Sequence, residues 1–222
     1  MDATARIVAL WIAFGVTHIG LSSTPLRSRL VSTLGERGFG ALYSLLAFAT
    51  FVPLVWVYAA NRHAGSQLWY LGGLPGVRWI VYAGMGLALV LVAAGVARPS
   101  PAALGKGKPR VAGVLRITRH PVFMGMGLFG LLHLLAASVS ASELAFFGGF
   151  PLFVLLGAAH QDRRKLLTAG DAFRNFHRDT AFLPFSRPAA AAAALREDAI
   201  AALLGVGAAI VVRVLHPMLF GA

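Results

Sequence analysis

The sequence contains no cysteine and few charged residues, and each absence excludes a class of protein. Without cysteine there is no disulfide, no thiolate metal ligand and no cysteine nucleophile. Charged residues make up 13% of the chain and hydrophobic residues 58%, whereas soluble domains carry roughly 25% charged residues. A soluble protein this apolar would lack the polar surface needed to cover its core. The composition therefore indicates an integral membrane protein.

Acidic residues are also scarce: eight Asp and Glu stand against 20 Lys and Arg, for a net charge of +12. A basic balance is typical of nucleic-acid binding, but here the basic residues lie in short stretches between apolar segments. Little soluble surface remains to form a groove, so we expect no nucleic-acid partner. Membrane lipid is the partner expected for such stretches.

Six apolar segments follow one another along the chain. Most approach the ~20 residues that cross a hydrocarbon core, and none shows the alternation of a strand. The sequence therefore predicts a single domain over residues 1–222, an all-α polytopic membrane helix bundle of about six transmembrane helices. The segments are 5–22, 39–60, 78–97, 121–137, 143–160 and 199–216.

The distribution of Lys and Arg predicts the orientation of these segments. The stretches after the first, third and fifth segments hold 16 of these residues, and the opposite side holds three. The positive-inside rule then places the basic loops in the cytoplasm and both termini outside. The expected location is the inner (cytoplasmic) membrane of a bacterial cell.

Two of the basic stretches are longer than turns. Residues 98–119 are rich in proline and glycine and predict an irregular loop. Residues 162–187 mix arginines with four phenylalanines, which suits an interfacial helix with its aromatic rings in the headgroups; the alternative is a segment that closes over a site at the cytoplasmic face. The alanine run 189–194 after Pro188 is expected to start the last helix.

Histidines are the main polar candidates within the spans. Burying an ionisable residue there is costly, so each one is a candidate for function; the alternative is an imidazole bonded to a neighbouring helix. His18 and His133 lie deepest. Neutral imidazole is a common ligand of haem iron, but counting residues along the helices puts the pair about 8–10 Å apart along the membrane normal. A shared haem must bridge this offset.

A second candidate site is the motif Arg119-His120-Pro121, followed by Gly125. Proline suits the first turn of a helix, so the motif is explained by a helix start with interfacial anchors. The functional alternative is that Arg119 and His120 bind an anionic or nucleotide-like group. The motif resembles membrane methyltransferases of the isoprenylcysteine and phospholipid type, which use S-adenosylmethionine, although the acidic pair of that group is replaced here by Gln161-Asp162.

The chain more closely resembles the NnrU-domain family of bacterial membrane proteins linked to nitrite and nitric oxide reduction, which includes the plant 15-cis-zeta-carotene isomerase. The resemblance covers most of the chain and is carried by four blocks in order. They are His18–Leu21 with Pro25–Arg27, Leu34–Arg37 with Leu42–Leu45, Arg116–Pro121 with Leu131–Leu135, and Leu215–Gly221.

In the isomerase branch of this family, the resemblance implies that His18 and His133 are the metal ligands of a haem b. That branch has a cysteine three residues before the second histidine, where this chain has Gly130. Three functions stay open: haem-dependent redox or isomerase-type chemistry on a hydrophobic small molecule, methyl transfer at the cytoplasmic face, and non-enzymatic support of a respiratory nitrogen-oxide complex as partner.

Overall fold

A computed structural model describes residues 2–103, 109–136, 138–187 and 191–220, and these are mostly helical. Two short strands, β1 (Gln67–Tyr70) and β2 (Ser138–Ser140), form one antiparallel pair. The helices are α1 (Ala3–Leu21), α2 (Thr24–Ala60), α3 (Val77–Ala97), α4 (Pro121–Ala136), α5 (Ala141–Thr168), α6 (Gly170–Asp179), α7 (Ala191–Glu197) and α8 (Ala199–Phe220), with a 3-10 turn at Gly113–Arg116.

The predicted all-α membrane helix bundle is confirmed. Five helices, α1, α2, α3, α5 and α8, are long and apolar enough to cross a membrane, and α4 is a shorter apolar helix. These six correspond one to one with the predicted segments. In the bundle α5 packs against α1 and α4, α3 packs against α4 and α8, and α1 packs against α2.

Helix α2 is much longer than the predicted segment 39–60. It begins at Thr24 with Pro25 in its first turn, and it bends at Gly35, where the backbone takes φ 71° and ψ 169°. Glycine adopts positive φ without a steric penalty, so it can redirect the chain here. The stretch before residue 39 was predicted as a connecting loop, and that prediction is wrong because no residue before Gly35 interrupts the helix.

At the ends of the helices opposite the basic loops, the segments that connect the helices are joined to each other by hydrogen bonds. Gln67 pairs with Ser140 and Tyr70 with Ser138 in the strand ladder. Ser140 and Glu143 form a capping box that starts α5, which satisfies the free N–H groups of its first turn. The small sheet was not predicted; Ala137 of the predicted turn lies outside the described residues.

At the basic ends, two neighbouring carboxylates bind the stretch 98–119: Glu197 at the end of α7, and Asp198 directly before α8. Asp198 accepts hydrogen bonds from Arg98 Nη2 at 2.6 Å and from the N–H of Val114 at 2.6 Å. Glu197 accepts from the N–H of Gly113 at 2.6 Å and from Arg116 Nε at 2.8 Å. The Gly113 N–H and then Arg116 hold the pKa of Glu197 below its usual value.

The prediction of an irregular loop holds for the described residues of this stretch; Lys106 and Lys108 lie outside them, as does Pro188. The alanine run does not start the last span directly. Its described part forms α7, which ends at Glu197, and α8 begins separately at Ala199.

Two clusters of buried apolar residues form the core. One is aromatic, lies between α1, α2 and α5, and includes Trp11, Phe14 and Phe150. The other lies between α3, α4, α5 and α6 and includes Phe173 and Phe176, which are 2% and 3% exposed. The interpretation that placed the rings of these two phenylalanines in the headgroups is therefore wrong.

Candidate functional site

His18 lies on α1 within a group of aromatic rings. Its ring centroid is 4.5 Å from that of Tyr43, 5.0 Å from that of Phe14 and 5.4 Å from that of Phe153. The Tyr43 hydroxyl donates to the His18 carbonyl oxygen at 3.2 Å. Nδ1 of His18 is buried and has no hydrogen-bond partner among the described residues. An unsatisfied buried nitrogen of this kind is free to bind a ligand.

His133 lies on α4, and its ring is fixed by its own helix and by α5. Its Nδ1 is 2.9 Å from the carbonyl oxygen of Phe129, and its ring stacks on Phe147 with centroids 4.2 Å apart. Because a carbonyl only accepts, Nδ1 carries the proton, and Nε2 of a neutral ring keeps its lone pair. Metal-binding histidines are commonly oriented by such a bond from the other nitrogen.

The two histidines contact one aromatic cluster at different levels. Phe153 lies beside His18 and Phe147 beside His133. These phenylalanines are six residues apart on α5, which is about 9 Å along the helix. The ring of Phe150, between them, contacts both Trp11 of α1 and Phe129 of α4.

The donor atoms at these positions fit a b-type haem. His18 has a buried ring nitrogen with no partner among the described residues, the proton on Nδ1 of His133 leaves its Nε2 with a lone pair, and imidazole is a common ligand of haem iron. The rings that surround both histidines are aromatic and apolar. No group of three or more His, Cys, Asp or Glu that could hold a metal ion occurs among the described residues.

Arg119 and His120 meet on a single carboxylate, that of Asp162 in α5. Arg119 Nη2 is 2.7 Å from Asp162 Oδ2, and His120 Nε2 is 2.9 Å from Oδ1. All three side chains are at most 8% exposed. Since the carboxylate accepts from Nε2, Nδ1 of His120 is left as a buried acceptor, and it has no partner in the described regions.

The segment after α6 closes over this cluster. Arg119 donates from Nη1 to the Thr180 carbonyl and from its backbone N–H to the Ala181 carbonyl, both at 2.9 Å. Thr118 Oγ1 donates to the Phe182 carbonyl at 2.6 Å, and the Arg119 guanidinium lies 5.3 Å from the Phe182 ring centroid. Residues 180–182, part of the predicted segment 162–187, therefore cover Arg119 and Thr118.

His177 of α6 completes the surroundings of Asp162. Its Nε2 is 3.6 Å from Asp162 Oδ2, and burial followed by the charge of Arg119 lowers its pKa. An open cleft of about 590 Å³ lies beside Asp162 and is lined by Leu166, Leu167 and Phe182 among others. The Arg119 guanidinium is already bonded to Asp162 and Thr180, so an anion would have to displace Asp162 to reach it. This geometry does not favour the anion-binding hypothesis.

Sequence reasoning missed the central position of Asp162. The only local signal was one acidic residue at the end of an apolar segment, directly before two arginines. Of the other candidate histidines, His63 pairs with Glu143 at 3.4 Å, His160 has a buried Nε2 with no partner among the described residues, and His216 lies close enough to His133 for an electrostatic interaction.

Comparison with known proteins gives one family and two curated relatives. The profile described as "NnrU protein" matches residues 6–222. The chain is 29% identical over 194 residues to the 15-cis-zeta-carotene isomerase, chloroplastic, of Arabidopsis thaliana, which covers 81% of this chain and 49% of the relative. It is 28% identical over 202 residues to the protein of the same name from Zea mays, covering 84% and 53%. The chain thus spans about half the length of these relatives, and no solved structure matches it.

Proposed function

Because this chain belongs to the NnrU protein family, we propose that it acts in isomerase-type chemistry on a hydrophobic small molecule and holds a haem b through His18 and His133. The observation that carries the proposal is that both histidines, on different helices, contact the same aromatic cluster against α5. The names of the two relatives support the isomerase-type role.

The chain's own residues would do three things in this site. Nδ1 of His18 and Nε2 of His133 would hold the iron, and Phe129 would keep the His133 ring oriented through its carbonyl. The aromatic cluster would exclude water and bind an apolar ligand, as hydrophobic pockets do. When bound, a haem supplies a redox-active iron whose behaviour is set by its axial ligands and their surroundings.

The visible absorption spectrum of the detergent-purified protein, reconstituted with haem, tests this proposal. We expect a Soret band that His18→Ala and His133→Ala each abolish or shift, because each variant removes one of the two residues that would hold the iron. The control is His63→Ala, which removes an imidazole that is 68% exposed and pairs with Glu143, and it should leave the spectrum unchanged. A protein that gives no Soret shift with added haem contradicts the proposal.

We also propose that the basic ends of the helices face the cytoplasm of a bacterium and that both termini lie outside. Connections assigned to one side contact each other: β1 pairs with β2, and Arg98 pairs with Asp198. If the true number of spans between two such connections were one more or one fewer, the paired residues would lie on opposite sides of the membrane.

Because the chain has no cysteine, single cysteines report this topology without background. Leu74→Cys, between α2 and α3, should react with a membrane-impermeant maleimide in intact spheroplasts. Arg174→Cys, on α6, should react only in inverted vesicles; both positions are exposed. Labelling in the reverse pattern would show that the orientation is wrong.

A further inference from the structure

Three basic side chains converge where α2 begins and α5 nears its end. They are Arg27, Arg164 and Lys165, called here the basic cluster. Arg27 and Arg164 are close enough for their charges to interact, and both act on Lys165. Helix α2, which carries Arg27, contacts helix α5, which carries the other two. Like charges that interact in this way repel one another, so a bound anion would stabilise the arrangement.

The described residues supply only one carboxylate to the basic cluster. Arg27 Nη2 pairs with Glu36 Oε2 at 2.8 Å, and Glu36 is largely exposed. Arg164 donates from Nη2 to the side-chain oxygen of Gln161, and no carboxylate among the described residues pairs with Arg164 or Lys165. Nε of Arg164 is buried without a hydrogen-bond partner in the same part of the chain. Among the described residues, the charge of Arg164 therefore has no carboxylate partner and its Nε–H has no acceptor.

A phosphate group suits this arrangement. The guanidinium fork matches two phosphate oxygens, and a third oxygen can accept from an ammonium group. Tyr43 lies close enough to Arg164 for an electrostatic interaction, and its ring packs on that of His18. The Tyr43 hydroxyl already donates its proton to the His18 carbonyl oxygen. The hydrogen-bond donors for a phosphate therefore come from the basic cluster itself.

The depth of Arg164 indicates where the phosphate comes from. Arg164 lies 23 residues after the start of α5 at Ala141, which is about 35 Å along the helix. The hydrocarbon core of a bilayer is about 30 Å thick, so this side chain lies at headgroup level. Anionic phospholipids are abundant at the cytoplasmic surface, where basic segments bind them.

We propose that the basic cluster binds the phosphate group of an anionic phospholipid at the cytoplasmic face of the bundle. The proposal does not depend on the haem site. Inorganic phosphate offers the same oxygens, so the experiment must separate the two sources.

Native mass spectrometry of the delipidated full chain tests this, with phosphatidylglycerol, phosphatidylcholine and inorganic phosphate added separately. We expect one tightly bound phosphatidylglycerol, a weaker phosphatidylcholine, and affinity for phosphatidylglycerol at least tenfold lower in Arg164→Gln, which loses charge-assisted hydrogen bonds. The matched control is Arg163→Gln, which removes the same charge from an exposed neighbour and should leave the affinity within about twofold.

Two further variants keep the test decisive. Arg27→Gln should weaken binding even if Arg164→Gln fails to fold, with Arg29→Gln as its exposed control on the same helix. Equal affinities in Arg164→Gln and Arg163→Gln, or in Arg27→Gln and Arg29→Gln, overturn the proposal. Displacement of the lipid by millimolar inorganic phosphate would assign the site to a soluble anion and overturn the lipid as its occupant.

Discussion

Replacing Asp162 with alanine should lower the free energy of unfolding by about 3–5 kcal/mol, because removing one partner of a buried ion pair strands the other charge. Arg119 and Asp162 are each 8% exposed, and the carboxylate also bonds to His120. The variant would leave the Arg119 guanidinium buried with one carbonyl partner, that of Thr180. Thermal unfolding of the purified protein in detergent measures the loss.

Asp171→Ala is the matched control for this prediction. Asp171 pairs with Arg174 at 2.7 Å, but its side chain is 89% exposed, and an exposed pair contributes about 0–1 kcal/mol. Asp162→Asn should give an intermediate loss, since the amide oxygen can still accept a hydrogen bond. If Asp162→Ala and Asp171→Ala unfold at the same temperature, the ion pair contributes nothing to stability.

The spans were predictable because their signal is local. An apolar run of about 20 residues is visible in the sequence whatever it packs against, and α3 lies within one residue of its prediction, at Val77–Ala97. The first part of α2, from Thr24 to the break at Gly35, was predicted as a loop because it carries charged residues, whereas the part after Gly35 agrees with the predicted segment 39–60. Hydropathy reports whether a segment is apolar, and it does not report whether a charged segment is helical.

The polar cluster was harder to predict because its partners are distant in sequence. Asp162 is 43 residues from Arg119 and 42 from His120. The histidine pair was isolated by the cost of burial alone. Asp162 lies at the end of a span, where a charged residue carries no such penalty and gives no such signal. The location of Phe173 and Phe176 was predicted wrongly for a related reason. The sequence pattern of an amphipathic helix is the same whether its apolar face packs on lipid or on protein.

The close approach of α4 and α5 depends on Gly130, and this makes the position sensitive to any side chain. A Cβ at Gly130 would lie 2.5 Å from the Phe147 carbonyl oxygen and 2.8 Å from Phe150 Cβ. Neither atom is the end of a flexible side chain, so the two helices must separate.

Gly130→Ala should therefore lower the free energy of unfolding by about 1–3 kcal/mol, the usual cost of overpacking, and Gly130→Cys by more. Gly86→Ala is the control, since a Cβ there meets nothing within 4 Å, and alanine favours a helix over glycine by about 1 kcal/mol. His133 lies one turn after Gly130 and stacks on Phe147, so separating the helices should also move this ligand and shift the Soret band. A Gly130→Cys protein as stable as the parent would show that α4 and α5 do not pack this closely.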